Sequence, residues 1–344
     1  MFQKRLYEID LLRFIAAVMV VFFNYNNDTH YEHGTFLINN NFVNSIFLKG
    51  NLGVRLFFLI SGFVILMSAQ FVSPAKFIKS RIIRLYPAFI PICIITYIVG
   101  KLFVATYNVS ITDFFINLSL IGIIGSMAKV QLVAGVYWTL IVEIQFYLFI
   151  YILLVLNKMK YIRTFLVAWL TLSVLTYYGE LYFNYHTIFN KIRMIFITEH
   201  AFFFIGGCYF YLIKYQRKKF DMIMPLITLI FSLACFINHS NYTLSYASAG
   251  IIISFYMIFY WISLQNITFK KHQNLYKALG NLTYPLYLIH EIFGVIVIGA
   301  LLPYINKPLL LILMIFTVVG ITYVFNKYVE VKLMSRLKKV LDKK

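Results

Sequence analysis

Apolar residues in this chain come in long uninterrupted runs, without the short alternating stripes of a water-soluble fold. A helix that crosses the hydrocarbon core of a bilayer needs about 20 predominantly apolar residues. Ten stretches meet that need: 9–27, 50–70, 84–105, 136–156, 162–179, 197–214, 221–238, 245–264, 280–301 and 308–326. The longest connection, 106–135, contains ITDFFINLSLIGIIG, which has the character of an interfacial or re-entrant piece. No internal repeat, low-complexity tract or Pro/Gly/Ser linker divides the sequence. Residues 1–328 therefore read as one all-α transmembrane domain, and 329–344, VEVKLMSRLKKVLDKK, as a basic amphipathic tail.

Charge gives the expected orientation. Ten crossings put both termini on one side and split the connections into two sets. The set that shares a side with the termini holds 23 of the 31 lysines and arginines, and the other set holds 6. Positive residues collect on the cytoplasmic side, so both termini are expected there, with the tail on the anionic inner leaflet, where each Lys or Arg contributes about 1 kcal/mol of attraction. The chain is 61% hydrophobic and 12% charged, with a mean hydropathy of +0.80. Soluble domains carry about 25% charged residues. The net charge of +19 is accounted for by topology, and no soluble domain is present to offer nucleic acid a basic face. MFQKRLYEID has the positive flank of a signal peptide, but the run behind it lacks a cleavage site and contains Arg13, so it reads as a retained first helix. Cys93, Cys208 and Cys235 lie in apolar runs without metal-ligand spacing, which points away from disulfides and metal.

A charge at bilayer depth costs at least about 2.5 to 3.5 kcal/mol, so ionisable residues within spans mark candidate sites. Arg13 follows Asp10 by three residues, a spacing that lets the carboxylate orient the guanidinium. Asn24 lies eleven residues beyond Arg13, which returns to within about 20° of the same helix face, about 16 Å further along the axis. A guanidinium fork suits a phosphate. In GNLGVRLFFLISGF, the small residues Gly53, Ser61 and Gly62 point to close helix packing. Ser61 is also a candidate nucleophile, without the G-x-S-x-G elbow, and Arg55 stands near the outer end. FIKSRIIRLYP puts Arg81 and Arg84 on one helical face behind Lys76 and Lys79, with Pro87 suited to a helix start or kink. These cations serve either topology or the phosphates of a cytoplasmic cofactor. VYWTLIVEIQFYLF buries Glu143 and Gln145 in a span, with Glu143 either paired to Arg55 or Arg13 or available for acid/base work. Glu199 and His200 lie near an outer mouth. His290, in YPLYLIHEIF beside Glu291, is either a hydrogen-bonded structural residue or a catalytic one.

IDLLRFIAA, GVRLFFLISGF, RIIRLYP, YWTLIVEIQFYL and YPLYLIH, in that order, resemble the membrane-bound acyltransferase 3 family over residues 6–326. The resemblance implies a ten-helix enzyme of the cell membrane, in bacteria the inner membrane. Such an enzyme takes an acyl group, often acetyl, from cytoplasmic acyl-CoA and places it on a hydroxyl of an extracytoplasmic polysaccharide or lipid-linked glycan. Many members carry an SGNH hydrolase-like domain after the helices, and this sequence reads as the standalone form. Arg13, Arg81 and Arg84 are then expected to bind the phosphates of coenzyme A, and the resemblance implies a catalytic histidine eleven residues after Arg13. That place is held by Asn24, which cannot take a proton near neutral pH. Three accounts stay open: loss of the base on an otherwise intact scaffold, replacement by Glu143, His290, His30 or His33, or a pseudoenzyme. The intact remaining motifs favour the first. A polysaccharide or lipid-linked sugar transporter is the rival from another class, although no inverted repeat is evident.

Overall fold

The computed structural model describes residues 5–27, 41–120, 130–182, 186–238, 246–265 and 271–342, and it is helical throughout, with no strand among them. In chain order the helices are α1 (Tyr7–Asn27), α2 (Asn41–Leu48), α3 (Leu52–Ala69), α4 (Pro74–Phe103), α5 (Ile111–Ser119), α6 (Trp138–Val155), α7 (Ile162–Tyr182), α8 (His186–Phe196), α9 (Ala201–Gln216), α10 (Lys219–Asn238), α11 (Tyr246–Leu264), α12 (Gln273–Leu301), α13 (Lys307–Phe325) and α14 (Val331–Asp342). Among the described residues, seven helical stretches are long and apolar enough to cross a membrane. The protein is an all-α integral membrane protein. Helices α1, α7 and α10, of 21, 21 and 20 residues, occupy the other three predicted spans. The number ten itself rests on the sequence pattern.

Two elements bear on what the sequence leaves open. Of the two roles that suit Pro87, it does not start a helix: α4 begins at Pro74 and runs through Pro87 and Pro91 to Phe103, which leaves the kink. Interior prolines are tolerated in membrane helices because neighbouring groups take up the freed backbone carbonyls. Within 106–135, α5 has nine residues, a rise of about 13.5 Å, short of a crossing. Ser110 and Asp113 close a reciprocal capping box at its start. The amide of buried Asn117 donates to the carbonyl of Gln131 and accepts from the N–H of Val133, so the chain after α5 is brought back to it.

The chain forms two compact units. The first comprises Met1–Val54, Ile78–Ile141 and Phe269–Lys344, and the second Arg55–Phe77 and Val142–Thr268. In the first, α1 lies along α12. A Cβ on Gly280 would stand 2.6 Å from Asp10 Oδ1, and one on Gly294 would stand 2.3 Å from the Tyr25 ring. Contacts that advance together along both helices make them parallel, as the first and ninth of ten alternating spans are. Gly50 and Gly53 let the chain after α2 approach α1, where a Cβ would meet the carbonyls of Met19 and Ala16 at 2.2 and 2.5 Å. For Gly53 this is the close packing expected of a small residue in a span. Glu291 on α12 accepts the Val136 N–H at 2.9 Å and so caps the turn Gly135–Tyr137 that opens α6. In α14, Asp342 pairs with Lys79 of α4 at 2.6 Å.

In the second unit α9 is the core helix, buried at every position from Ala201 to Ile213. It meets α3 through Gly62 and Gly207. Phe146 of α6 stacks on Trp169 and packs tilted against Phe204, with centroids 5.8 and 4.6 Å away. Arg163 of α7 holds fully buried Asp221 through two bonds, Nε to Oδ1 at 2.8 Å and Nη2 to Oδ2 at 2.7 Å.

Candidate functional site

The first unit brings two predicted site residues together. Helix α1 is unbroken from Tyr7 to Asn27, so Arg13 and Asn24 share the face their spacing gives them. Asn24 Nδ2 lies 2.8 Å from Nε2 of His290, 266 positions away on α12. His290 is wholly buried. Its Nδ1 stands 2.9 Å from the carbonyl oxygen of Tyr287 and 3.3 Å from that of Leu286. Carbonyl oxygens only accept, so Nδ1 carries a hydrogen, and the neutral ring has its lone pair on Nε2, facing the Asn24 amide.

Tyr25 packs beside this pair, with its ring centroid 6.3 Å from that of His290 and its side chain 1% exposed. Its hydroxyl has no hydrogen-bond partner among the described residues. Sequence reasoning passed over Tyr25. The one signal for it is Gly294, four residues beyond His290, whose missing side chain makes room for the ring.

The remaining candidates of this unit lie apart from that pair along α1 and α4. Asp10, expected to orient Arg13, accepts a hydrogen bond from Arg5 Nε, and Arg5 Nη2 reaches Asn281 Oδ1 at 3.2 Å. The carboxylate thus anchors the start of α1 to α12. Arg13 is half-buried one turn further on. Arg81 and Arg84 are half-buried on α4, with Arg81 Nε donating to Ser80 Oγ and Arg84 near enough to buried Glu330 to act on its charge. His30 and His33 lie outside the described residues.

The second unit joins two more. Ser61 Oγ and Tyr147 Oη each donate to Glu143 Oε1 at 2.8 Å. Of the alternatives for Glu143, pairing with Arg55 is not the one formed: Arg55 Nη1 donates to His200 Nδ1 at 2.6 Å and its guanidinium lies over the ring of Phe203. A carboxylate that accepts two hydroxyls needs no cation to be satisfied. Tyr147, four residues after Glu143 on the same helix face, was also missed. That spacing is its signal.

The order of these features along the chain matches a known plan. A family model described as an acyltransferase domain matches residues 6–327. The chain belongs to the acyltransferase 3 family. No curated protein and no solved structure matches it. For a membrane acyltransferase, the Asn24–His290 pair is a polar contact inside the helical bundle at the place where the family resemblance expects a catalytic histidine. The pair can bind a hydroxyl by hydrogen bonds on either side of the Asn24 amide. Asn24 itself cannot remove the hydroxyl's proton.

Proposed function

We propose that this protein transfers an acyl group, acetyl in the simplest case, from cytoplasmic acyl-CoA to a hydroxyl of an extracytoplasmic polysaccharide or lipid-linked glycan. The family match over residues 6–327 carries the reaction class. The contact between Asn24 and His290 carries the assignment of the acceptor site. Arg13, Arg81 and Arg84 supply guanidinium forks for the phosphates of coenzyme A, and the acyl arm runs along the face of α1 that bears Arg13 and Asn24. The acceptor oxygen closes on the thioester carbonyl carbon, the C–S bond breaks, and the coenzyme A thiolate takes up the hydroxyl's proton. Glu143, with Ser61 and Tyr147 on its oxygen, is the polar centre of the second unit.

With Asn24 where a base belongs, turnover falls short of the roughly 10²- to 10⁴-fold that general-base catalysis supplies. The deciding experiment follows labelled acetyl-CoA in proteoliposomes given the cell's own surface glycan, with the wild-type chain and Asn24→His compared. Label reaching glycan, and reaching it at least about 100-fold faster in Asn24→His, is the expected result. Glycan crossing the bilayer without label would replace the acyltransferase reading with a transporter.

A further inference from the structure

We propose that His290 is a positioning residue that fixes which edge of the side chain at position 24 faces the acceptor hydroxyl. In this chain the exposed edge is Asn24 Oδ1, a hydrogen-bond acceptor. The identity of that hydroxyl rests on the acyl-transfer reading, and the orientation of Asn24 does not.

The argument starts at the backbone of α12. The carbonyls of Leu286 and Tyr287 hold the hydrogen of His290 on Nδ1, so Nε2 is an obligate acceptor. The ring is 0% exposed, so an acceptor at position 24 would leave Nε2 buried without a donor, at a cost. Position 24 must therefore present an N–H. Asparagine does so through Nδ2 at 2.8 Å, which commits the amide and turns Oδ1 away from the ring. No hydrogen is donated to Oδ1 by the described residues. A sugar hydroxyl that donates to it is held and aligned, and keeps its proton.

The same constraint sorts other residues at this position. A histidine would donate one ring N–H to His290 and keep a lone pair on its other nitrogen, the tautomer a base needs. The hydroxyl proton would pass to that nitrogen as the oxygen attacks the thioester carbon, and on to the departing thiolate. An aspartate is also a base, but it has no hydrogen to offer Nε2. It would draw a proton onto His290 and spend its charge on an ion pair.

The first test is a ¹⁵N spectrum of histidine-labelled protein in nanodiscs, with the His290 signals assigned by their loss in His290→Phe. A protonated Nδ1 and bare Nε2 are expected, and a protonated Nε2 overturns the proposal whatever the enzyme does. The second measures thiol release from acetyl-CoA, with water as the acyl acceptor. Asn24→His should gain at least about 100-fold over wild type, Asn24→Asp should gain nothing, and Asn24→His with His290→Phe should lose most of the gain. An equal gain in Asn24→Asp, or a gain that survives His290→Phe, sinks the positioning role. If no form releases thiol while Nε2 is bare, the acyl-transfer reading falls and the orientation of Asn24 stands.

Discussion

The contact between α3 and α9 predicts opposite outcomes for one substitution made at different glycines. A methyl on Gly62 would lie 2.1 Å from the Phe204 carbonyl oxygen, and one on Gly207 would lie 2.0 Å from that of Leu59. Ordinary contact begins at 3.4 Å, so the two backbones must part by about 1.3 Å for Gly62→Ala. Neither obstacle is a flexible side chain. A gap of about 0.5 to 1 Å already forfeits a quarter to a half of each dispersion contact, and between membrane helices dispersion is the main attraction. Rings that meet across this seam, Phe58 with Phe204 at 4.9 Å and Phe63 with Tyr211 at 5.8 Å, lose contact together. Overpacking costs about 1 to 3 kcal/mol, and immovable backbone puts this site in the upper half of that range. At about 2 to 4 °C per kcal/mol, Gly62→Ala should lower the melting temperature in detergent by about 4 to 12 °C, read by intrinsic fluorescence. Gly62→Ala with Gly207→Ala should cost less than the two singly, because one separation admits both methyls. Gly250, on α11, has nothing within 4 Å of the place a methyl would take, so Gly250→Ala should be neutral or gain up to about 1 kcal/mol from reduced backbone entropy. A Gly62→Ala melt within about one degree of wild type, or a Gly250→Ala melt that falls as far, refutes the reasoning.

Two further outcomes follow from buried polar groups. Asp221→Ala strips the carboxylate from Arg163, which keeps Gln216 Oε1 at 2.8 Å and whose side chain is 20% exposed, so the cost should sit near the low end of the range for a broken buried pair, about 3 kcal/mol. Chemical denaturation showing a loss under about 1 kcal/mol would mean the pair is not holding α7 to the start of α10. Tyr25→Phe removes a hydroxyl that lacks a partner, and an unsatisfied buried group costs about 1 to 3 kcal/mol. The ligand-free protein should therefore melt higher, and acyl transfer should drop if substrate supplies the missing partner; a lower melt would show that the hydroxyl is already bonded.

The length and apolarity of the spans made the all-α membrane class readable from sequence, since a run such as 308–326 has no other stable home. What a linear pattern could not give is termination and pairing. Pro87 suits a helix start or a kink, and the linear pattern does not choose; in α4 the helix runs on through it because neighbouring groups in a membrane bundle can take up the freed carbonyl. For Glu143 the pattern leaves a cation partner and acid/base work both open, because it does not show which groups lie across from it: Ser61 and Tyr147 reach it with hydroxyls, and Arg55 has His200. Gly280 and Gly294 carried no visible meaning until Asp10 and Tyr25 were seen to fill their places.

Asn24 shows the same limit where it matters most. The spacing from Arg13 singled out its position, and the cost of burying an imidazole singled out His290, but nothing in the chain joins residues 266 positions apart. Once joined, they explain why asparagine is tolerated there. Leucine or alanine at position 24 would leave Nε2 of His290 buried and unsatisfied. Asparagine keeps the donor that the buried ring calls for and lacks the proton acceptor that the family resemblance expects there. An intact fold around Asn24 is therefore expected whether or not the protein turns over, because the structural and the chemical demands at this position fall on opposite edges of one side chain.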